Sequence, residues 1–173
     1  LVGLGLIGSS IGHAAKRNGL AGEIVGTARS AETRKKALEI GFIDRATASA
    51  AEAVLDADLV ILCTPVGTLG KIAAEIAPAL KPGAIVSDVG SVKAKAADDM
   101  AAHCPPGVHL IPGHPIAGTE KSGPEAGFAS LFQQAWHILT PLTDQSEAYA
   151  DAVARLTKFW TGLGARVETM DPA

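Results

Sequence analysis

Gly3-Leu4-Gly5-Leu6-Ile7-Gly8 lies between an apolar pair, Leu1-Val2, that reads as the stub of a strand, and the helical spacing of Leu6 to Asn18. Each glycine of a G-x-G-x-x-G at such a strand-to-helix turn has its own job. The first permits the tight turn, and the second lets backbone come close to a pyrophosphate. Gly8, with Gly12 one turn on, lets the helix pack tightly on a sheet. The unbonded amides and the dipole at the helix start then hold phosphate. Gly3, Gly5, Leu6, Ile7 and Gly8 are therefore expected to bind a dinucleotide.

Outward from this turn, apolar runs alternate with helical patterns. Glu23 to Ala28 reads as a strand, and a helix is predicted from Ser30, a plausible N-cap, to Ile40, stopped by Gly41. Asp58 to Cys63 is a continuous apolar run of the buried, parallel-strand kind. Leu69, Ile72, Ile76 and Leu80 recur at helical spacing and end at the Pro82-Gly83 turn. Ala84 to Asp88 predicts a strand, Val92 to Ala102 a helix, and Val108 to Ile111 another strand. After a loop come a strand over Trp136 to Thr140 and a helix with Tyr149, Val153, Leu156 and Trp160 on one stripe. Arg166-Val167-Glu168 closes the series. This alternation predicts one α/β domain over 1–173. Its sheet is expected to be doubly wound, Rossmann-type and mostly parallel, with helices on both faces and ligands beyond the strands' carboxyl ends.

Composition narrows the classes further. A chain of 173 residues, 47% hydrophobic and 19% charged, can hold one core and is not intrinsically disordered. Its 32 alanines and 19 glycines suit backbones that approach one another closely. A net charge of −3 offers no footprint for nucleic acid or anionic membrane. No apolar run reaches the ~18 residues of a membrane span. The two cysteines, Cys63 in an apolar run and Cys104 before Pro105, form no disulfide framework, so a cytoplasmic location is expected. Leu1 resembles neither a signal peptide nor an ordinary start, and the first strand is expected to be clipped.

Two further stretches bear on chemistry. A ribose-binding acid is expected about 20 residues past the fingerprint. There the sequence reads Ala28-Arg29-Ser30, followed by Thr33-Arg34. Arg29 can offer a fork to a 2′-phosphate, supported by Ser30, Thr33 and Arg34, which favours NADP over NAD. The same residues also read as a helix cap with solvated arginines. The second stretch, Pro112 to Gly127, shows no strand or helix period, and structureless loops of this length are usually functional. His114 precedes Pro115, which biases its backbone toward extended geometry. Thr119, Glu120 and Lys121 place a hydroxyl, a carboxylate and an ammonium nearby. Ser91, in Asp88-Val89-Gly90-Ser91-Val92-Lys93, is a helix cap, a hydroxyl facing the cleft, or both.

Together, Asp88 to Lys93 and Gly113-His114-Pro115-Ile116-Ala117-Gly118-Thr119-Glu120-Lys121-Ser122-Gly123 closely resemble the prephenate/arogenate dehydrogenases of tyrosine biosynthesis. The glycine fingerprint, the Thr64-Pro65-Val66 step and Leu163-Gly164-Ala165-Arg166-Val167 fit as well, so the resemblance covers essentially the whole chain. It implies oxidative decarboxylation: prephenate to 4-hydroxyphenylpyruvate, or arogenate to tyrosine, with hydride passing to NADP or NAD. His114 would hydrogen-bond the ring hydroxyl and accept its proton, and Ser91 would hold that hydroxyl or the nicotinamide. Thr119 and Glu120 would line the pocket, and Thr64, Pro65 and Val66 would border the cofactor. A neutral imidazole, ordinarily titrating near ~6.5, suits the proton transfer. His13, His103, His109 and His137 read as structural, and no metal site is expected.

The resemblance also implies a helical domain that forms a homodimer and binds the substrate carboxylates. Nothing here corresponds to it, and it is expected after residue 173. The chain as written is expected to bind cofactor while turning over substrate poorly. A β-hydroxyacid dehydrogenase would share the fingerprint but leave the histidine loop unexplained. A dinucleotide-binding module without catalysis is the other alternative.

Overall fold

The computed structural model describes residues 1–91, 93–144 and 146–170. At the centre of its larger sheet is Val2, bridged in parallel to Thr27 on one side and Leu62 on the other. The Val2 amide donates to Ile61 O (3.0 Å), and the Cys63 amide donates to Val2 O (2.7 Å). On one flank lie β1 (Val25–Thr27) and β2 (Arg45–Thr47), and on the other β3 (Leu59–Leu62), β4 (Ile85–Asp88) and β5 (His109–Leu110). All these pairs are parallel, in the order β2-β1-Val2-β3-β4-β5. The chain thus runs outward from Val2 in one direction and restarts beside it in the other. The reversal point, between Val2 and β3, is where sheets of this kind bind ligands.

Alternation along the strands separates two cores. Ile61 and Ile85 point into one with Ile11 and Ala14 of α1 (Leu6–Arg17), Ala37 of α2 (Ala31–Ile40) and Trp160 of α6 (Glu147–Gly162). Val60, Leu62 and Val86 point into the other. There they meet Ala50 of α3 (Ala50–Ala53), Leu69 and Ile76 of α4 (Leu69–Ile76), and Met100 of α5 (Lys93–Ala101). Period-2 side chains buried on both faces explain why β3 is a continuous apolar run, whereas β4 begins apolar and ends on the buried Ser87 and Asp88. Helix α2 begins as expected, with the Ser30 hydroxyl accepting from the Thr33 amide, and ends on Gly41 at φ 91°. The helix predicted from Val92 is seen from Lys93, and Val92 lies outside the described residues. Among the described residues no helix is long and apolar enough to cross a membrane.

Two features depart from expectation. The short β2 and α3 have no counterpart in the sequence reading. Within the supposedly patternless 112–127 loop, Gly113–Pro115 forms a strand, β6, and Pro124–Ala126 a 3-10 turn. β6 pairs antiparallel with β7 (Trp136–Leu139), which pairs parallel with β8 (Arg166–Thr169). The Tyr149 hydroxyl ties α6 to the sheet edge: it donates to Leu110 O and accepts from the Leu142 amide, both at 2.8 Å.

Helix α1 lies so close to the connection after α2 that a Cβ on Gly12 would stand 2.5 Å from Phe42 O and 2.8 Å from Phe42 Cδ2. Phe42 is fully buried and cannot yield. Gly12→Ala is therefore expected to cost about 1–3 kcal/mol in urea unfolding, the usual penalty of overpacking. A gain of about 0.5–1 kcal/mol, the ordinary helix preference for alanine, would contradict this packing.

Candidate active site

The fingerprint turn is built from backbone contacts that a side chain would prevent. Gly3 sits at φ 100°, and a Cβ there would lie 2.6 Å from Cys63 O. A Cβ on Gly8 would fall on the carbonyl oxygen of Gly3. Gly5 differs, because no atom lies within 4 Å of where its Cβ would stand. Two of the three glycines therefore close the turn on itself, and the middle one keeps its outer side open. The first bond of α1 runs from the Ser9 amide to Gly5 O (2.9 Å), so the amides of Leu6, Ile7 and Gly8 precede it at the helix's positive end. No acidic side chain occupies that first turn.

Beyond β1 the arginines divide their roles. The Arg34 guanidinium donates to Ala28 O (2.5 Å) and Arg29 O (3.0 Å), bracing the loop from inside. Ser30 caps α2 through Thr33. The Arg29 side chain is exposed and has no hydrogen-bond or ion-pair partner among the described residues. Glu32, in the first turn of α2, is the nearest carboxylate in sequence and acts on Lys36.

From the fingerprint a row of contacts runs along the carboxyl edge of the sheet. Gly3 abuts Thr64, whose Cγ2 would lie 3.1 Å from a Cβ on that glycine. The Thr68 hydroxyl reaches Thr64 Oγ1 (3.0 Å) and Pro65 O (2.7 Å), fixing the Thr64-Pro65-Val66 step. Val66 packs on Gly90, and Asp88 Oδ2 accepts from the Gly90 amide at 2.8 Å. Asp88 Oδ1 accepts from the Gly113 amide at 3.1 Å, which brings the row to His114.

Strand pairing aims that histidine. Gly113, Pro115, His137 and Leu139 share one face of the β6–β7 pair and are buried, with His137 stacked on Trp160 at 3.6 Å between ring centroids. His114 and its partner Ile138 face the other way and are half-buried. Nδ1 of His114 is buried and has no hydrogen-bond partner among the described residues. Ser91 is exposed one residue beyond Gly90. Thr119 and Glu120 are exposed too, and no hydrogen bond or ion pair joins them to His114 among the described residues; Thr119 Oγ1 accepts from the Lys121 amide. The far end of the loop is strapped to the fingerprint helix. The Phe128 amide donates to Ser10 Oγ (3.1 Å), a Cβ on Gly127 would fall on Ser9, and Glu125 pairs with Lys36 of α2 at 2.9 Å.

Two residues of this edge were not singled out from sequence. Asp88 is visible as a carboxylate that follows Ser87 at the end of a strand with an apolar start, but the amides it serves are backbone and leave no sequence mark. Cys63 lies between Val2 and the fingerprint, where burial, with the Asp88 carboxylate adding to it, pushes its thiol up to about 12.

Residues 11–169 match the family described as prephenate dehydrogenase, nucleotide-binding domain. The cyclohexadienyl dehydrogenase of Zymomonas mobilis is 40% identical over 172 residues, which are 98% of this chain and 57% of that protein. The prephenate dehydrogenase of Bacillus subtilis is 37% identical over 175 residues, 99% of this chain and 46% of that protein. The chain thus spans about half the length of the curated relatives it matches. The crystal structure of Aquifex aeolicus prephenate dehydrogenase in complex with hydroxyphenyl propionate and NAD+ superposes with a TM-score of 0.89. It is 34% identical, with 99% of this chain and 58% of that one covered.

The Cys63 thiol gives a test of how dry this edge is. The folded state keeps its proton up to about pH 12, whereas an unfolded thiol releases it near ~8.5. Stability is therefore expected to be unaffected by this group below about pH 8.5 and to decline as pH rises from there toward 12. Cys63→Ala should flatten that part of the pH–stability curve. A thiol reagent that labels native Cys63 rapidly at pH 8 would contradict the burial.

Proposed function

The chain belongs to the prephenate dehydrogenase family, as its nucleotide-binding domain, and on that premise we propose that the intact protein oxidatively decarboxylates prephenate or arogenate with NADP+. The placement of His114 carries this reading. A histidine turned off the buried face of β6 stands at the carboxyl edge, joined through Gly113, Asp88 and Gly90 to the fingerprint's neighbours.

The residues present fit a dinucleotide. The open side of Gly5 admits a pyrophosphate, the amides of Leu6, Ile7 and Gly8 hold it, and Thr64, Pro65 and Val66 border the nicotinamide end. Arg29, whose guanidinium is uncommitted among the described residues, takes the 2′-phosphate, and Arg34 keeps the loop in shape for it. Bound NADP+ supplies the hydride acceptor. His114 takes the proton of the ring hydroxyl as hydride leaves the same carbon. The bond from the ring to its carboxylate then breaks, carbon dioxide leaves, and the freed electron pair aromatises the ring to a phenolate, to which His114 returns the proton. Ser91 orients the hydroxyl, and Thr119 and Glu120 border the entrance. A homodimer and groups that bind the substrate carboxylates are what the resemblance implies beyond the stretch that this chain spans in its relatives.

A base must take the hydroxyl proton as hydride leaves, and His114 is the group proposed for it. His114→Asn is expected to lower kcat by roughly 10²–10⁴, the worth of a general base, with cofactor affinity preserved. Near-normal turnover would remove His114 from the mechanism. The KM for NADP+ should be well below that for NAD+. Arg29→Ala should raise the NADP+ value about tenfold or more, the scale of a lost charge-assisted bond, without moving the NAD+ value. A clear preference for NAD+ in the unaltered protein would overturn the cofactor assignment.

A further inference from the structure

We propose that Asp88 is a positioning residue: its carboxylate clamps the loop that carries Ser91 to the strand that carries His114, holding the two groups in register. The inference rests on the reaction assigned above.

Asp88 ends β4 opposite Leu62 and is fully buried. A carboxylate taken out of water is costly unless its oxygens are occupied. Here Oδ2 accepts from the Gly90 amide (2.8 Å) and Oδ1 from the Gly113 amide (3.1 Å). The first is one residue before Ser91. The second is one residue before His114 and 25 positions along the chain. Both donors are glycines where a side chain would collide with the clamp or its surroundings. A Cβ on Gly90 would stand 3.0 Å from Asp88 Oδ2 and 2.8 Å from Val66 Cγ2. One on Gly113 would stand 2.8 Å from His137 Nε2 and 3.2 Å from Asp88 O.

Only a side chain with two acceptor atoms can serve both amides. Asparagine has one acceptor oxygen and would turn its NH2 toward the other donor. That substitution keeps the shape of the site and removes one half of the clamp. The His114 strand is held on its other edge by β7, so the expected effect is a local shift of His114 relative to Ser91 rather than unfolding. Displacements of about 1 Å in a reacting constellation can cost on the order of 100-fold in rate.

The test uses the intact protein, with Asp88→Asn compared with the unaltered enzyme. Rates are normalised to the number of NADPH-binding sites, so that loss of folded protein does not count. The expected result is a kcat about 10- to 100-fold lower, with the KM for prephenate and the Kd for NADPH each within about threefold. Hydrogen exchange at the Gly90 and Gly113 amides should be slow in the unaltered protein and faster in the variant. An unchanged kcat per site overturns the proposal, because a purely structural role lowers the number of sites and not their rate. If the variant does not fold, exchange in the unaltered protein decides: amides at 90 and 113 that exchange as fast as the exposed 118–122 loop overturn the clamp. An unaltered enzyme that oxidises neither prephenate nor arogenate defeats the assigned reaction itself, a result distinct from fast exchange.

Discussion

Backbone pressed against backbone at the first turn is the contact on which the remainder depends. Gly8 rides on the carbonyl of Gly3, Gly3 rides on that of Cys63, and Gly12 rides on that of Phe42. The first two set the start of α1 against the end of β3, and the third seats the helix on the connection after α2. They also set Val2 between β1 and β3, and with it the point where strand order reverses. A methyl group at any of the three would lift the helix. Part of the large share of glycine is thereby given a place: Gly3, Gly8 and Gly12 stand where backbone meets backbone too closely for a side chain.

The second constraint follows from parallel strands. Every connection returns the chain to the same edge, so the ends of Val2, β1, β3 and β4 deliver the fingerprint, Arg29, Thr64 and Asp88 to one rim. His114 reaches that rim by another route, on an antiparallel strand belonging to a second sheet. Two sheets meeting at one rim need a joint, and the Asp88 carboxylate with its two glycine amides supplies it.

Much of this was legible in the sequence, for physical reasons. A strand buried on both faces is mostly apolar, so β3 and the apolar first half of β4 are legible in the sequence. Capping chemistry marked both ends of α2. The parts that escaped lack such signatures. Arg45–Thr47 is three residues long and partly exposed at the sheet's edge, too short to show a period. Gly113–Pro115 holds a glycine and a proline, both disfavoured in strands, and its pairing with β7 overrides that preference. The support that Arg34 gives the Arg29 loop runs through two carbonyls of that loop, Ala28 O and Arg29 O. In each case the deciding partner was backbone, which a list of side chains does not display.

In the proposed reaction, removal of hydride and loss of a carboxylate are coupled on one substrate, with His114 holding the hydroxyl proton between them. Its most direct test is the stoichiometry of prephenate oxidation by the intact protein with NADP+. One carbon dioxide and one 4-hydroxyphenylpyruvate are expected for each NADPH formed. NADPH appearing without carbon dioxide, or no reduction with either prephenate or arogenate, would contradict it.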